Sequence, residues 1–211
     1  MVDEEKRATL RRFATIGGLG IASSSGEATA SDSLPRDAIM GYVSETPGVH
    51  FSKLRDDLHL GTGETQHHLR RLEKADEIET RRDGDYKRFF RSNEFSKFEK
   101  RILGYLRRET PRRLLIALLR QPESTGSELA ERCSVSQGTV SNWMTALSSD
   151  SIIERESGYR LTRPETVMIL LIQYADSFGH RARALAADAQ RLLTYDPEST
   201  LHVVAPEYPH F

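Results

Sequence analysis

The chain repeats itself once, and this repeat limits its fold more than any other feature. A single constant displacement carries Pro47 onto Pro122, Ser52 onto Ser127, Leu54 onto Leu129, Leu72 onto Leu147, Ile78 onto Ile153 and Glu79 onto Glu154, with no gap. Conservative pairs fill the intervals: Leu58 with Cys133, Leu60 with Val135, Thr65 with Val140. Two copies are too few for a solenoid, whose units bury their cores by stacking on several neighbours. The repeat therefore predicts two small domains in tandem.

Each copy reads the same way. In the first, Asp37 to Thr46 sets Ile39, Tyr42 and Val43 on one helical face, ended by Pro47-Gly48. Ser52 is placed to cap a second helix that buries Leu54 and Leu58. After the turn Leu60-Gly61-Thr62-Gly63, Thr65, Leu69 and Leu72 fall at helical spacing and predict a third helix with an inward stripe. Glu77 to Arg82 and Tyr86 to Phe90 then read as two strands joined by Asp83-Gly84-Asp85, a hairpin signal. In the second copy the helices are predicted at 112–120, 127–133 and 136–149, and the hairpin at 152–162.

Helix, helix, turn, helix, hairpin is a winged helix-turn-helix. The expected class is mostly α with small β-hairpin wings (α+β), in two tandem winged helix-turn-helix domains plus a C-terminal helical region. The boundaries read as a flexible N-terminal arm over 1–34, the first domain over 35–93 and a connecting helix over 94–111. The second domain follows over 112–163, then the helical region over 164–195 and a tail over 196–211.

In this fold the third helix enters the major groove of double-stranded DNA, with its N-terminal outward residues against base edges. With Thr65, Leu69 and Leu72 inward, Thr62, Glu64, Gln66, His67, Arg70 and Arg71 stand on or beside the outer face. Gln pairs bidentately with adenine and Arg with guanine, while Thr and His donate to phosphate. The hairpin adds Arg81, Arg82, Tyr86, Lys87 and Arg88; residues 81–91 hold five basic and two acidic side chains. Such a ribbon can neutralise several phosphates.

The second recognition helix is uncharged. Gln137, Thr139, Ser141 and Asn142 are expected outward with Gly138, and the shorter wing offers Arg155 and Arg160 beside Glu154 and Glu156. This pattern suits either weaker DNA contact or a protein-contact surface. Between the copies, SKFEKRILGYLRRETPRR carries Lys97, Lys100, Arg101, Arg107, Arg108, Arg112 and Arg113, which suits either a phosphate track or a solvated spacer.

Here the sequence resembles a known family. LGTGETQHHLRRLEKADEIETRRDGDYKRFF is similar to the recognition helix and wing of arsenical-repressor-type winged-helix regulators, in which a His-His-Leu-x-x-Leu helix precedes Ala-Gly-Leu and a charged hairpin. VSQGTVSNWMTALSSDSII resembles the same pattern and that of multiple-antibiotic-resistance-type regulators. The tandem arrangement is similar to regulators of halophilic archaea. The resemblance, over residues 35 to 163, implies DNA binding. Asp76 and Ser151 stand where the family usually has glycine, and the metal-sensing cysteine motif is missing from FSKLRDDLHL.

After Pro164, the residues Met168, Leu171, Ala175, Phe178, Ala182, Leu185, Ala189 and Leu192 alternate steps of three and four. This is a heptad seam suited to pairing helices in a homodimer, or to folding back on its own domain; Gly179 is where it can divide. At the other end, LRRFATIGGLGIASSSGEATA joins a twin arginine to a short apolar run and Ala-x-Ala, the pattern of a twin-arginine export signal. The acidic start and the shortness of the run favour a mobile arm on a cytoplasmic protein.

Other functions find little support. Cys133 is the only cysteine, which excludes an internal disulfide and a cysteine metal cluster. His50, His59, His67 and His68 lack metal-ligand spacing, and the adjacent pair points about 100° apart on a helix. No cofactor is expected, and no nucleophile elbow or phosphate-binding loop suggests an enzyme. The net charge of -1 leaves any nucleic-acid grip to local patches. The expected function is a sequence-specific DNA-binding transcriptional regulator. The alternative is a winged-helix interaction scaffold of the chromosome- or polymerase-associated kind.

Overall fold

The displacement that aligns the two halves of the sequence also aligns their backbones. Gly48 and Glu123 (φ 78° and 62°), His59 and Ser134 (53° and 50°), and Asp76 and Ser151 (56° and 57°) adopt left-handed conformations at matching positions. The computed structural model describes residues 2–17, 30–189, 193–194 and 202–203. The chain divides into two units, Met1–Lys100 and Arg101–Phe211. It is mostly helical with small antiparallel strand pairs, the α+β class expected.

The first unit contains helices α1 (Val2–Gly17), α2 (Ala30–Glu45), α3 (Phe51–Asp57) and α4 (Thr62–Lys74). Its strands are β1 (Val49–His50), β2 (Ile78–Asp83) and β3 (Tyr86–Arg91). The core gathers Ile39, Val43, Leu54, Leu58, Leu69, Leu72 and Ile78, each at most 3% exposed. Each such side chain contributes about 2 kcal/mol through burial. Thr65 shares this interior because its hydroxyl donates to the Gly61 carbonyl at 2.9 Å. Val140, its counterpart in the second unit, is buried without needing a partner.

Three expectations are corrected here. The arm over 1–34 is not loose at its start: α1 packs along α2, with Leu10 buried and Phe13 5.0 Å from Tyr42 edge-to-face. Its apolar residues Leu10, Phe13, Ala14 and Gly17 follow helical spacing, so burying that stripe holds the helix. Most of the Ala-x-Ala stretch lies outside the described residues. The cap of α3 is His50, whose Nδ1 accepts from the Lys53 N–H at 3.4 Å; Ser52 lies inside the first turn. The wing is a three-stranded sheet in the order β1-β3-β2, because β1 pairs with β3 through Val49–Phe89 and His50–Arg88.

Helix α5 (Lys97–Leu106) begins in the first unit and continues into the second. The second unit continues with α6 (Glu109–Arg120), α7 (Gly126–Cys133) and α8 (Gln137–Ser149). Its wing is β4 (Ile153–Arg155) with β5 (Tyr159–Leu161), and the bridge from Ser124 to Tyr159 repeats the place of β1. Thr125 and Glu128 cap α7 reciprocally. The Thr125 hydroxyl accepts from the Glu128 N–H at 3.3 Å, and Glu128 Oε2 accepts from the Thr125 N–H at 2.7 Å. The Thr125 N–H and hydroxyl, both donating to this carboxylate, hold it below its ordinary pKa.

Of the two courses open to the heptad stripe, the described residues show it folded back on its own domain. Residues 164–187 form three short helices, α9 (Pro164–Gln173), α10 (Ala175–Phe178) and α11 (His180–Ala187), and Gly179 at φ 92° separates the last two. Met168, Leu171, Ala182 and Leu185 are fully buried within the single chain, and Ala175, Phe178 and Ala189 are at most 8% exposed. With α9 packed on α6 and α11, the stripe forms this unit's own core. Leu192 lies outside the described residues. Two short strands, β6 (Leu193–Thr194) and β7 (His202–Val203), pair antiparallel.

Candidate nucleic-acid interface

Helix α4 is divided cleanly by burial. Thr65, His68, Leu69 and Leu72 face the core, while Thr62, Gln66, His67, Arg70 and Arg71 are exposed. Gln66, His67, Arg70 and Arg71 line an open depression of about 240 Å³ with Gly63 and Lys74. An amide, an imidazole and guanidinium groups are thus offered together along one edge, the chemistry that base and phosphate contacts require. Thr62 stands at the helix start, where its hydroxyl accepts weakly from Arg55 at 3.5 Å.

Glu64 is not an open reading group. It is only partly exposed, its Oε2 accepts the Gly61 N–H at 3.2 Å, and Lys6 stands 3.2 Å from the same oxygen. The other carboxylate of α4, Glu73, is paired with Lys87 at 2.7 Å and accepts from Thr80 at 3.3 Å.

The wing departs from expectation at one position. Arg82, Tyr86 and Lys87 are exposed and Arg81 is partly so, but Arg88 is 1% exposed. Its guanidinium donates to Asp83, and Nη1 donates to the Gly48 carbonyl at 2.9 Å. Arg88 therefore cannot grip phosphate from this position; it ties β3 to the turn before β1. Burying a guanidinium is costly unless it is paired and hydrogen-bonded, and here both conditions hold. Tyr86 lies over this arrangement, 4.9 Å from the His50 ring and 5.4 Å from the Arg88 guanidinium. Burial, then Arg88 and Lys53, lower the His50 pKa, against Asp56 and Asp57.

The second unit offers a different surface. Gln137, Ser141 and Asn142 are exposed on α8, with Gln137 donating to Ser127 at 3.1 Å. Thr139 is partly buried and bonded to Ser136 at 2.8 Å. Arg155 is exposed and packs over Tyr159, whereas Arg160 is held by Glu154 at 2.6 Å and Glu156 at 3.3 Å.

Most basic residues of the connecting region are used internally. Lys100 pairs with Glu79, and Arg101 with Asp150 at 3.9 Å. Arg107 lies 4.3 Å from the Phe178 ring and donates to Ser177, while Arg108 lies over Trp143. Arg112 donates to the Leu106 carbonyl and Arg113 to that of Cys133. Sequence reasoning missed Lys6 altogether, although the apolar spacing of α1 was a usable signal.

Comparison with known proteins agrees with this architecture. Residues 33–103 match a family described as an N-terminal helix-turn-helix domain. Residues 107–154 match a family described as winged helix-turn-helix DNA-binding. No curated protein matches the chain. The two matches support a winged-helix transcriptional regulator built from tandem helix-turn-helix domains. Among the described residues, no helix is long and apolar enough to cross a membrane.

Proposed function

We propose that the chain is a sequence-specific DNA-binding transcriptional regulator whose first domain is the principal reader. The carrying observation is the division of α4: Thr65, Leu69 and Leu72 are buried while Gln66, His67 and Arg70 share one open edge. Helix α4 enters the major groove, Gln66 and Arg70 read base edges, and Arg81 and Arg82 grip flanking phosphates. The arsenical-repressor-type resemblance supports this assignment without the metal response of that family. A protein acting on genomic DNA works in the cytoplasm of a prokaryotic cell, and this reading needs neither cofactor nor catalysis.

A specific observation favours another partner for the second domain. Its recognition helix is uncharged and Arg160 is neutralised by two carboxylates, so electrostatic attraction to phosphate is weak there. We assign that surface to protein contact, the scaffold-like role, while the first domain holds DNA.

Repeated selection from a random duplex library with the full chain tests the proposal. A reader enriches one motif with adenine and guanine steps at fixed spacing. Failure to retain any duplex at low salt leaves the scaffold reading for both domains.

A further inference from the structure

A helix from outside both matched regions reaches the edge of α4. The first match begins at residue 33, whereas α1 ends at Gly17. Leu10 and Phe13 pack α1 onto the first domain, and two glycines bring the backbones into contact. A Cβ on Gly41 would stand 1.9 Å from the Phe13 carbonyl oxygen, and one on Gly17 would stand 2.2 Å from that of Asp37. Only glycine permits so close a crossing. With the later turns of α1 fixed this way, its early turns carry Lys6 to the start of α4.

There Lys6 Nζ lies 3.2 Å from Glu64 Oε2, the oxygen that also caps the Gly61 N–H. The two side chains are 28% and 34% exposed, so water screens the pair less than a free surface pair. Glu73, the only other carboxylate of α4, is matched by Lys87. Both negative charges of the helix are thus offset by cations from other elements, one from α1 and one from the wing. Gln66, His67, Arg70 and Lys74 are left to set the character of the exposed edge.

The geometry points to Lys6 as a positioning residue for DNA binding, acting through Glu64 rather than by touching DNA. An uncompensated Glu64 at the groove-entering end of α4 would repel phosphates within a Debye length, about 8 Å at physiological salt. Lys6 cancels that repulsion while leaving the cap in place. This rests on the first domain being the DNA reader.

The test uses the full chain and a fluorescently labelled random-sequence DNA duplex, with binding followed by anisotropy across a salt series. Glu64→Gln keeps a side-chain oxygen for the cap, and Lys6→Arg keeps the cation. Lys6→Gln should weaken binding about threefold to tenfold at low salt, and the loss should shrink as salt screens Glu64. Adding Glu64→Gln should restore the parent affinity, and Lys6→Arg should match the parent. Thermal melts verify that each variant is folded. Parent-like binding by Lys6→Gln overturns the inference. So does a loss that Glu64→Gln does not rescue, because Lys6 would then hold a phosphate itself. A parent chain that binds no duplex overturns the underlying reading and this inference together, whereas binding indifferent to Lys6 overturns this inference alone.

Discussion

Arg88 is bound to Asp83 across the base of the wing turn, and the same guanidinium reaches the Gly48 carbonyl at 2.9 Å. A residue that looks like part of a cationic grip is thus an internal strut. Arg88→Ala would leave Asp83 without its buried partner and free the Gly48 carbonyl. The expected loss is about 3 kcal/mol of stability in urea melts. Under conditions where the variant is folded, its duplex affinity should stay near the parent's. A parent-like melt would refute the strut.

Arg82 behaves oppositely. It is exposed and lies directly across the ribbon from Lys87, whose ammonium is held by Glu73 at 2.7 Å. An exposed guanidinium at that place suits a phosphate contact. Arg82→Ala should leave the melt within about 0.5 kcal/mol of the parent's. Its salt slope for duplex binding should flatten by about 0.9. An unchanged slope would remove Arg82 from the interface.

Gln66 and Arg70 should separate specific from general binding. On a duplex carrying the selected motif, Gln66→Ala and Arg70→Ala should each lose about 1–3 kcal/mol of discrimination. On random-sequence duplex, Gln66→Ala should bind as the parent does, because an amide contributes no charge. Equal losses on both duplexes would mean that Gln66 supports the fold rather than reads bases.

The helices of both domains were legible because apolar spacing and the repeat agree on the same inward faces: Leu54 with Leu129, Leu72 with Leu147, Ile78 with Ile153. The left-handed conformations of Asp76 and Ser151 were foreshadowed by their standing where glycine is usual. What the sequence hid was partnership. Strand β1 is two residues long and exists only because β3 offers it a ladder, and the burial of Arg88 depends on that ladder. The heptad spacing after Pro164 marks a buried face correctly, but spacing does not say whether the covering surface is another chain or one's own α6. The α1 stripe is present in Leu10, Phe13 and Ala14, yet the neighbouring Arg11-Arg12 gives the same stretch the pattern of an export signal.

The packing of the C-terminal helices has a direct consequence. Leu171 is fully buried inside one chain, so Leu171→Ala should create a cavity and cost about 2–5 kcal/mol in a melt. Sedimentation should give that variant the same mass as the parent at a temperature where both are folded. A variant that melts like the parent but sediments as a smaller species would restore the seam between protomers.

His50 gives the first domain a pH dependence whose sign follows from its surroundings. Burial, with Arg88 and Lys53 nearby, depresses its pKa below the ordinary 6.5, only partly countered by Asp56 and Asp57. Between the folded value and 6.5, the unfolded chain holds more protons at this site than the folded one. The contribution is therefore fully present above 6.5 and is lost as pH falls toward and through the folded value. His50→Asn removes the titration but keeps a side-chain oxygen able to cap α3. In urea melts at about pH 7.5 and about pH 5.5, values that bracket an ordinary histidine, the parent should lose more stability on acidification than His50→Asn does. The difference isolates His50 from the carboxylates that both chains share. Equal losses in the two chains would mean that the ring titrates as freely in the fold as in the unfolded chain.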